Sequence, residues 1–233
     1  MGVIVDVNEP LTLIGAAAVT AERLARARAL APRVVAADGG ADAALAHGIE
    51  PMAVIGDFDS LSAAARRRLP AATLHRIAEQ DSTDFDKCLR NIAAPLVIAV
   101  GFSGARLDHQ LAAYNSLVRH PDRRCLLLGR EEVVFLSPPS LVLPLAPGTA
   151  VSLFPMGAVE GVSDGLRWPI GGIGFAPDGR VGTSNEATGE VHLALSAPKM
   201  LVILPQTALE IAAQALLTAP ATWPAGGRGD ARP

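Results

Sequence analysis

Four aspartates in two short clusters are the residues of this sequence best suited to chemistry. In "VIGDFDSLS" (54–62) an apolar run ends at Gly56 and is followed at once by Asp57 and Asp59. In "EQDSTDFDKCLRNI" (79–92) Asp81 and Asp84 stand just ahead of a segment whose apolar positions Phe85, Cys88, Leu89 and Ile92 fall at helical spacing. Thr83 followed three residues on by Asp86 has the form of a capping box. If each cluster follows a buried strand, all four carboxylates lie beyond strand C-termini, the edge where open α/β sheets bind their ligands. Gathered there they repel one another unless a cation lies between them. Short Asp side chains on loops suit Mg²⁺, which takes hard oxygen ligands and commonly bridges carboxylates to substrate phosphates. Helix capping and turn formation account for single aspartates of this kind, but two acids at i and i+2 exceed what capping requires.

A third loop fits the same plan. In "VGFSGARLDHQLAAYNSL" (100–117) Gly101 and Gly104 allow backbone N–H groups to approach an anion, and Arg106 stands at the start of a helix. Leu107, Leu111, Tyr114 and Val118 form its apolar stripe, while Asp108 and Asn115 share another face. The alternative is that Arg106 and Asp108 form an ion pair at the helix start and His109 is merely exposed.

The elements that must position these residues are legible in hydropathy. "LTLIG" (11–15), "RVVAAD" (33–38), "MAVIGD" (52–57), "TLHRIA" (73–78), "PLVIAVG" (95–101) and "RCLLLG" (124–129) are continuous rather than alternating apolar runs, separated by helix-like segments such as "TAERLARARAL" and "ADAALAHG". Strands of this type are buried on both faces, which predicts a parallel sheet covered by helices. After "SPPS" (137–140) the chain changes to short β-like pieces punctuated by Gly and Pro. The expected architecture is an N-terminal parallel-sheet α/β domain (1–137) followed by an all-β sandwich (138–217) with a late helix at 206–217, then a loose tail (218–233). The uncharged stretch 136–159 is long enough to cross a bilayer, but Pro144, Pro147, Gly148 and Pro155 break it into strands and turns.

Composition excludes several classes. Of 233 residues 50% are hydrophobic and 4% aromatic, so a core is assured and Ala, Leu, Val and Ile must fill most of it. A net charge of -3 gives no pull toward nucleic acid or an anionic membrane. Cys88 and Cys125 form no CxxC pair, and the N-terminus lacks a signal-peptide pattern, so the cytoplasm is the expected compartment. The "RGD" at 228–230 matches an adhesion tripeptide only by coincidence in such a chain. There is no GxxxxGK[ST], no GxGxxG after a strand and no GxSxG, so a bound nucleotide must be held in some other way.

Five motifs in order, "ADGGAD" (37–42), "IGDFDS" (55–60), "QDSTDFDKCL" (80–89), "GARLDH" (104–109) and "TSNEATG" (183–189), resemble the thiamine pyrophosphokinase family over about residues 11–204. The resemblance implies an α/β domain followed by a β-sandwich, a homodimer, and transfer of the pyrophosphoryl group of ATP to the hydroxyl of thiamine with release of AMP. It implies that Asp57, Asp59 and Asp84 handle Mg²⁺ and the phosphates. By the same resemblance Asp38, Gln80, Arg106 and Asp108 are expected to line the same cleft, with Asp81, Thr83 and His109 counted beside them from the same motifs. It further implies that Trp168 in "LRWPI", Ser184 and Asn185 hold thiamine from the partner's sandwich. The chain departs from the family at Ala105, where a second glycine is usual. A phosphohydrolase carrying "DFDS" as its nucleophile pair is disfavoured, because at least two strands precede the motif. A non-catalytic thiamine or nucleotide sensor is the other alternative.

Overall fold

The computed structural model describes residues 3–104 and 106–225; Ala105 and the "RGD" at 228–230 lie outside the described residues. The N-terminal half runs β1 (Val5–Asp6), β2 (Leu11–Ile14), α1 (Ala21–Leu30), β3 (Arg33–Ala37), α2 (Gly40–Ala46), β4 (Ala53–Gly56), α3 (Ala63–Arg68), β5 (Leu74–Arg76), α4 (Asp84–Asn91), β6 (Ile92–Ala93), β7 (Val97–Val100), α5 (Leu107–Arg119) and β8 (Cys125–Leu128). The rest comprises β9 (Glu132–Leu136), β10 (Ser140–Leu143), β11 (Ala150–Pro155), β12 (Gly161–Leu166), β13 (Gly182–Leu195), β14 (Met200–Pro205) and α6 (Leu209–Thr218).

The apolar runs become strands for the expected reason. Along β2, β7 and β8 alternate side chains enter opposite faces, and both faces are covered. Ile14, Ile98, Val100, Leu126 and Leu128 pack toward Leu24 and Ala27 of α1. Leu13, Val97, Ala99 and Leu127 pack toward Phe85, Cys88 and Leu89 of α4 and Leu117 of α5. These three strands pair in parallel, Leu13 opposite Ala99 and Ala99 opposite Leu127. β3, β4 and β5 form a second parallel set, with β3 running alongside β2.

β9 turns the sheet antiparallel, since it pairs antiparallel with both β8 and β14. The result among the described residues is one mixed sheet of nine strands joining both halves of the chain. β13 is its longest strand: Asn185 and Glu186 pair with β11, whereas His192 and Leu193 pair with both β10 and β12.

Two sequence expectations are corrected. On α5, Leu107 and Leu111 of the expected stripe are 72% and 54% exposed. The helix packs instead through Ala113, Ser116, Leu117 and Val118, because only its later turns lie over the sheet. The stretch after α6 is docked, not loose, as far as residue 225: Trp223 packs against both large cores and donates its indole N–H to the Ser137 carbonyl at 2.8 Å, while Arg124 holds the Ala219 carbonyl at 2.9 Å. A large ring with one polar handle gains area and a hydrogen bond by docking. One helix, α3, went unread; Ser62 caps it by accepting from the Ala65 N–H. The uncharged 136–159 stretch forms β10, β11 and turns, and among the described residues no helix is long and apolar enough to cross a membrane.

Candidate active site

β3 and β4 end side by side and deliver the first carboxylates. Asp38 follows β3 with φ of 43°, a left-handed backbone, and is 1% exposed. It fits because its neighbour on β4 is glycine: a Cβ on Gly56 would lie 2.7 Å from that of Asp38. Asp57 and Asp59 follow Gly56 around Phe58, itself left-handed at φ 70°. The turn is closed by the Asp59 N–H donating to Asp57 Oδ1 at 3.2 Å, and the Ser60 hydroxyl donates to Asp59.

α4 supplies the opposite wall. Thr83 caps it by accepting from the Asp86 N–H. The apolar stripe Phe85, Cys88, Leu89 and Ile92 is buried as expected. Buried Asp86, on another side of α4, accepts from the guanidinium of Arg119 at 3.1 Å and lies 3.0 Å from the His120 ring nitrogen of the α5 end. That pairing locks α4 so that Asp84 and Lys87 face the cleft.

Lys87 is the residue that the sequence reading passed over. Only 1% exposed, its ammonium donates to Asp57 Oδ2 at 2.8 Å and to Asp84 Oδ1 at 3.2 Å. The signal was present as an Asp84–Lys87 pair at i,i+3, but a lysine beside a helix stripe ordinarily reads as solvated. Gln80 also donates to Asp57 Oδ2, at 3.3 Å. Glu79, bonded to Ser82 and Arg90, ties down the loop carrying Gln80.

The electrostatics follow from these contacts. The Lys87 hydrogen bond holds the Asp57 carboxyl down at about 2, in spite of its partial burial. Burial, together with the charge of Asp84, pushes Asp38 up to about 6. Burial raises Asp84 as well, against the pull of Lys87.

A cleft of about 330 Å³ opens over this set, lined among others by Asp38, Asp57, Thr83, Asp84, Lys87 and Arg106. Its far wall is the loop after β7, where Gly101 has φ of 79° and approaches Gly15 so closely that a Cβ would meet the Gly15 carbonyl at 2.6 Å. Phe102 of that loop packs against Phe85 with centroids 4.6 Å apart and rings tilted by 47°, and it lines both the cleft and an adjoining cavity of about 400 Å³. His109 reaches the cleft. Asp108 instead pairs with Arg106 at 2.5 Å at the exposed start of α5. Asp81 is exposed and is not among the lining residues.

The donor set fits a hard divalent cation. Asp38, Asp57 and Asp59 each offer a carboxylate oxygen, all within 4.8 Å of one another. Asp38 Oδ1 is buried with no hydrogen-bond partner, an unsatisfied acceptor whose burial a cation would compensate. Asp84 stands apart from this trio, across Lys87.

The C-terminal candidates assemble elsewhere. Trp168, 54% exposed after β12, has the Arg167 guanidinium 5.0 Å from its ring centroid. Its backbone is clamped by Asn185, which accepts from the Trp168 N–H at 3.2 Å and donates to the Trp168 carbonyl at 2.7 Å. Ser184, beside it on β13, is left-handed at φ 63°. None of the three lines the acidic cleft of the same chain.

Comparisons with known proteins agree with the motifs. The family model "Thiamin pyrophosphokinase, catalytic domain" matches residues 25–127. Thiamine pyrophosphokinase 1 of Arabidopsis thaliana is 27% identical over 165 residues, covering 61% of this chain and 60% of that protein. The chain thus spans about 60% of the length of this curated relative, and 48% of Thiamine pyrophosphokinase 2 from the same plant. In fold, a thiamin pyrophosphokinase from Geobacillus thermodenitrificans superposes with a TM-score of 0.68 at 21% identity, covering 84% of this chain and 96% of that one. The Candida albicans enzyme gives 0.67 at 18%, covering 85% and 88%. Motifs, family match and fold point the same way: residues 25–127 match the thiamin pyrophosphokinase catalytic domain, and the chain is similar in sequence and fold to thiamine pyrophosphokinases.

Proposed function

We propose that the protein transfers the pyrophosphoryl group of ATP to the hydroxyl of thiamine, giving thiamine pyrophosphate and AMP. The observation that carries this reading is the cleft itself, where aspartates from β3, β4 and α4 meet Lys87 and Arg106 at the C-terminal edge of the sheet. Pyrophosphoryl transfer, like phosphoryl transfer, needs positioning and charge neutralisation more than covalent chemistry. Strand-end carboxylates would hold Mg²⁺, which supplies charge neutralisation on the phosphates. Lys87 keeps Asp57 ionised and fixed in place, and Arg106 sits at the cleft mouth with guanidinium donors for phosphate oxygens. The adjoining cavity beyond Phe102 has room for the nucleoside of ATP.

In this reading residues 138–217 form a β-sandwich that presents Trp168 and Ser184 to thiamine across a homodimer interface, with Asn185 behind them. An indole face suits both a flat pyrimidine and a cationic thiazolium. Support comes from the exposure of Trp168 and its separation from the cleft of its own chain. Incubation with ATP, Mg²⁺ and thiamine should release AMP in step with thiamine pyrophosphate. Phosphate release without thiamine would instead make the protein a hydrolase, and binding without turnover would make it a sensor. At thiamine too dilute for the Trp168→Ala protein to use, mixing it with the Asp57→Asn protein should restore activity, because some mixed dimers hold one site without either mutation; failure after confirmed subunit exchange would place both halves of the site in one chain.

A further inference from the structure

We propose that Arg167 is a placeholder at the Trp168 corner: in the empty site its guanidinium covers the indole ring, and a cationic ligand takes that place while the guanidinium moves to Glu186. The proposal rests on reading Trp168 as the platform for thiamine.

Three groups of matched chemistry meet at this corner. The Arg167 guanidinium carbon lies 5.0 Å from the centroid of the Trp168 ring, a distance at which the negative ring face attracts a cation. Its Nη1 is 3.7 Å from Glu186 Oε2, near enough to feel that charge but longer than a hydrogen bond. The guanidinium therefore rests on the ring and only faces the carboxylate. Backbone contacts fix what it can reach. The Arg167 N–H donates to the Glu186 carbonyl at 2.8 Å, and Asn185 grips both the N–H and the carbonyl of Trp168. Ring and carboxylate thus stay within the span of one anchored arginine, and among the described residues Glu186 is its ion-pair partner.

Neither resting place holds the guanidinium firmly. The Arg167 and Glu186 side chains are 58% and 40% exposed. In water a cation over an exposed indole, like an exposed ion pair, is favoured by no more than about twofold to fivefold. Two weak alternatives of similar depth make an arm that changes place at little cost. One ring face takes one cation at a time, since a second meets both steric contact and like-charge repulsion. Thiamine brings a flat pyrimidine as well as a charge, and so gains stacking area on the indole beyond its cation attraction. The arginine then has Glu186 to receive it. Without a ligand the same guanidinium shields an exposed apolar ring.

The test has two parts, both on the full chain. Acrylamide quenching of Trp168 fluorescence reads the cover on the ring, in a Trp223→Phe background that leaves Trp168 as the only indole. Without ligand, Arg167→Gln should raise the quenching constant, and Glu186→Gln should not. Calorimetric titration with thiamine, with Trp223 in place, reads the competition. Arg167→Gln should tighten binding by about twofold to fivefold, and Glu186→Gln should weaken it by a similar factor because the arginine loses its second place. In the Arg167→Gln background Glu186→Gln should change nothing further, since the carboxylate acts only through the arginine. Unchanged or weaker thiamine binding in Arg167→Gln, quenching that does not rise, or a Glu186→Gln loss that persists without the arginine would each overturn the placeholder. If Trp223→Phe fails to fold, the calorimetric series decides alone. With no thiamine binding by the wild type, the thiamine reading falls and the exchange falls with it; binding with unshifted affinity in Arg167→Gln removes the placeholder alone.

Discussion

The acidic cleft and the Trp168 corner contain the residues assigned to opposite ends of one reaction, and they are built in opposite ways. In the cleft charge is internal: Lys87 is buried against Asp57 and Asp84, Asp86 is buried against Arg119 and His120, and glycines let the strand ends close up. At the corner the working surface faces outward, with the Trp168 ring exposed and only its backbone held, by Asn185. Burial of charge preorganises the groups of a site, as the proposed chemistry on phosphates would require. An exposed ring on a braced backbone suits a surface that something else completes.

The widest break in that comparison should come at Asp57. Asp57→Asn removes half the counter-charge of Lys87 and a carboxylate from the trio, so AMP release should fall roughly 10²–10³-fold, the scale of losing one preorganised electrostatic contact. Stability should fall too, by about 1–3 kcal/mol, because the lysine is left under-compensated. Near-normal turnover at saturating Mg²⁺ would remove Asp57 from the chemistry. Trp168→Ala should act on the other region alone: loss of ring stacking and cation attraction is worth about 1–3 kcal/mol, a roughly tenfold to hundredfold loss of thiamine affinity. Calorimetric titration with ATP should be unchanged to within about twofold, its phosphates lying with the aspartates. Equal weakening of both ligands would make Trp168 a packing residue.

The two regions also differ in how far the sequence discloses them. Strands buried on both faces announce themselves as apolar runs, so β2, β3, β4, β7 and β8 and the aspartates at their ends were legible within a residue or two. What was not legible is partnership. Nothing in "DFDKCL" says that Lys87 turns inward, since burial of a lysine depends on carboxylates brought from β4, thirty residues away. The α5 stripe misled for a related reason: periodicity gives a face, but the sheet covers only the later turns, leaving Leu107 and Leu111 exposed. At the corner the resemblance pointed to Asn185 as a ligand-holding group; its Oδ1 and one N–H of its amide are engaged on the Trp168 backbone.

A smaller effect tests the bracing of the cleft. Burial would raise the Asp86 carboxyl, but the hydrogen bond and charge of His120, with the charges of Arg119 and Arg90, overcome it and leave it below the usual carboxylate range. A depressed folded-state value means that the folded protein binds fewer protons than the unfolded chain. The stabilisation is therefore complete above the ordinary carboxylate range and lost as pH falls through the folded value. Asp86→Asn should cost about 1.5–3 kcal/mol at pH 7, and the gap from wild type should narrow on acidification. Urea unfolding at neutral and acidic pH measures both; a gap that does not change with pH would mean that Asp86 contributes through packing and not through charge.

The finest distinction concerns Asn185, which is 8% exposed and lies behind Trp168. Its Oδ1 accepts from the N–H groups of Trp168 and Glu186 at 3.2 and 2.9 Å, and its Nδ2 donates to the Trp168 carbonyl at 2.7 Å. In the proposed reading, an amide so engaged would act on thiamine through the tryptophan that it positions. Asn185→Ala leaves the ring chemistry intact but frees the segment that carries it, so thiamine affinity should fall by about threefold to tenfold, the cost of one or two neutral hydrogen bonds. The decisive measurement is a double-mutant cycle, because residues acting as one unit are not additive. In the Trp168→Ala background, Asn185→Ala should change thiamine affinity hardly at all, as there is no ring left to position. If the two losses instead add in full, Asn185 contacts thiamine independently of Trp168, and the corner is a two-residue binding site and not one braced ring.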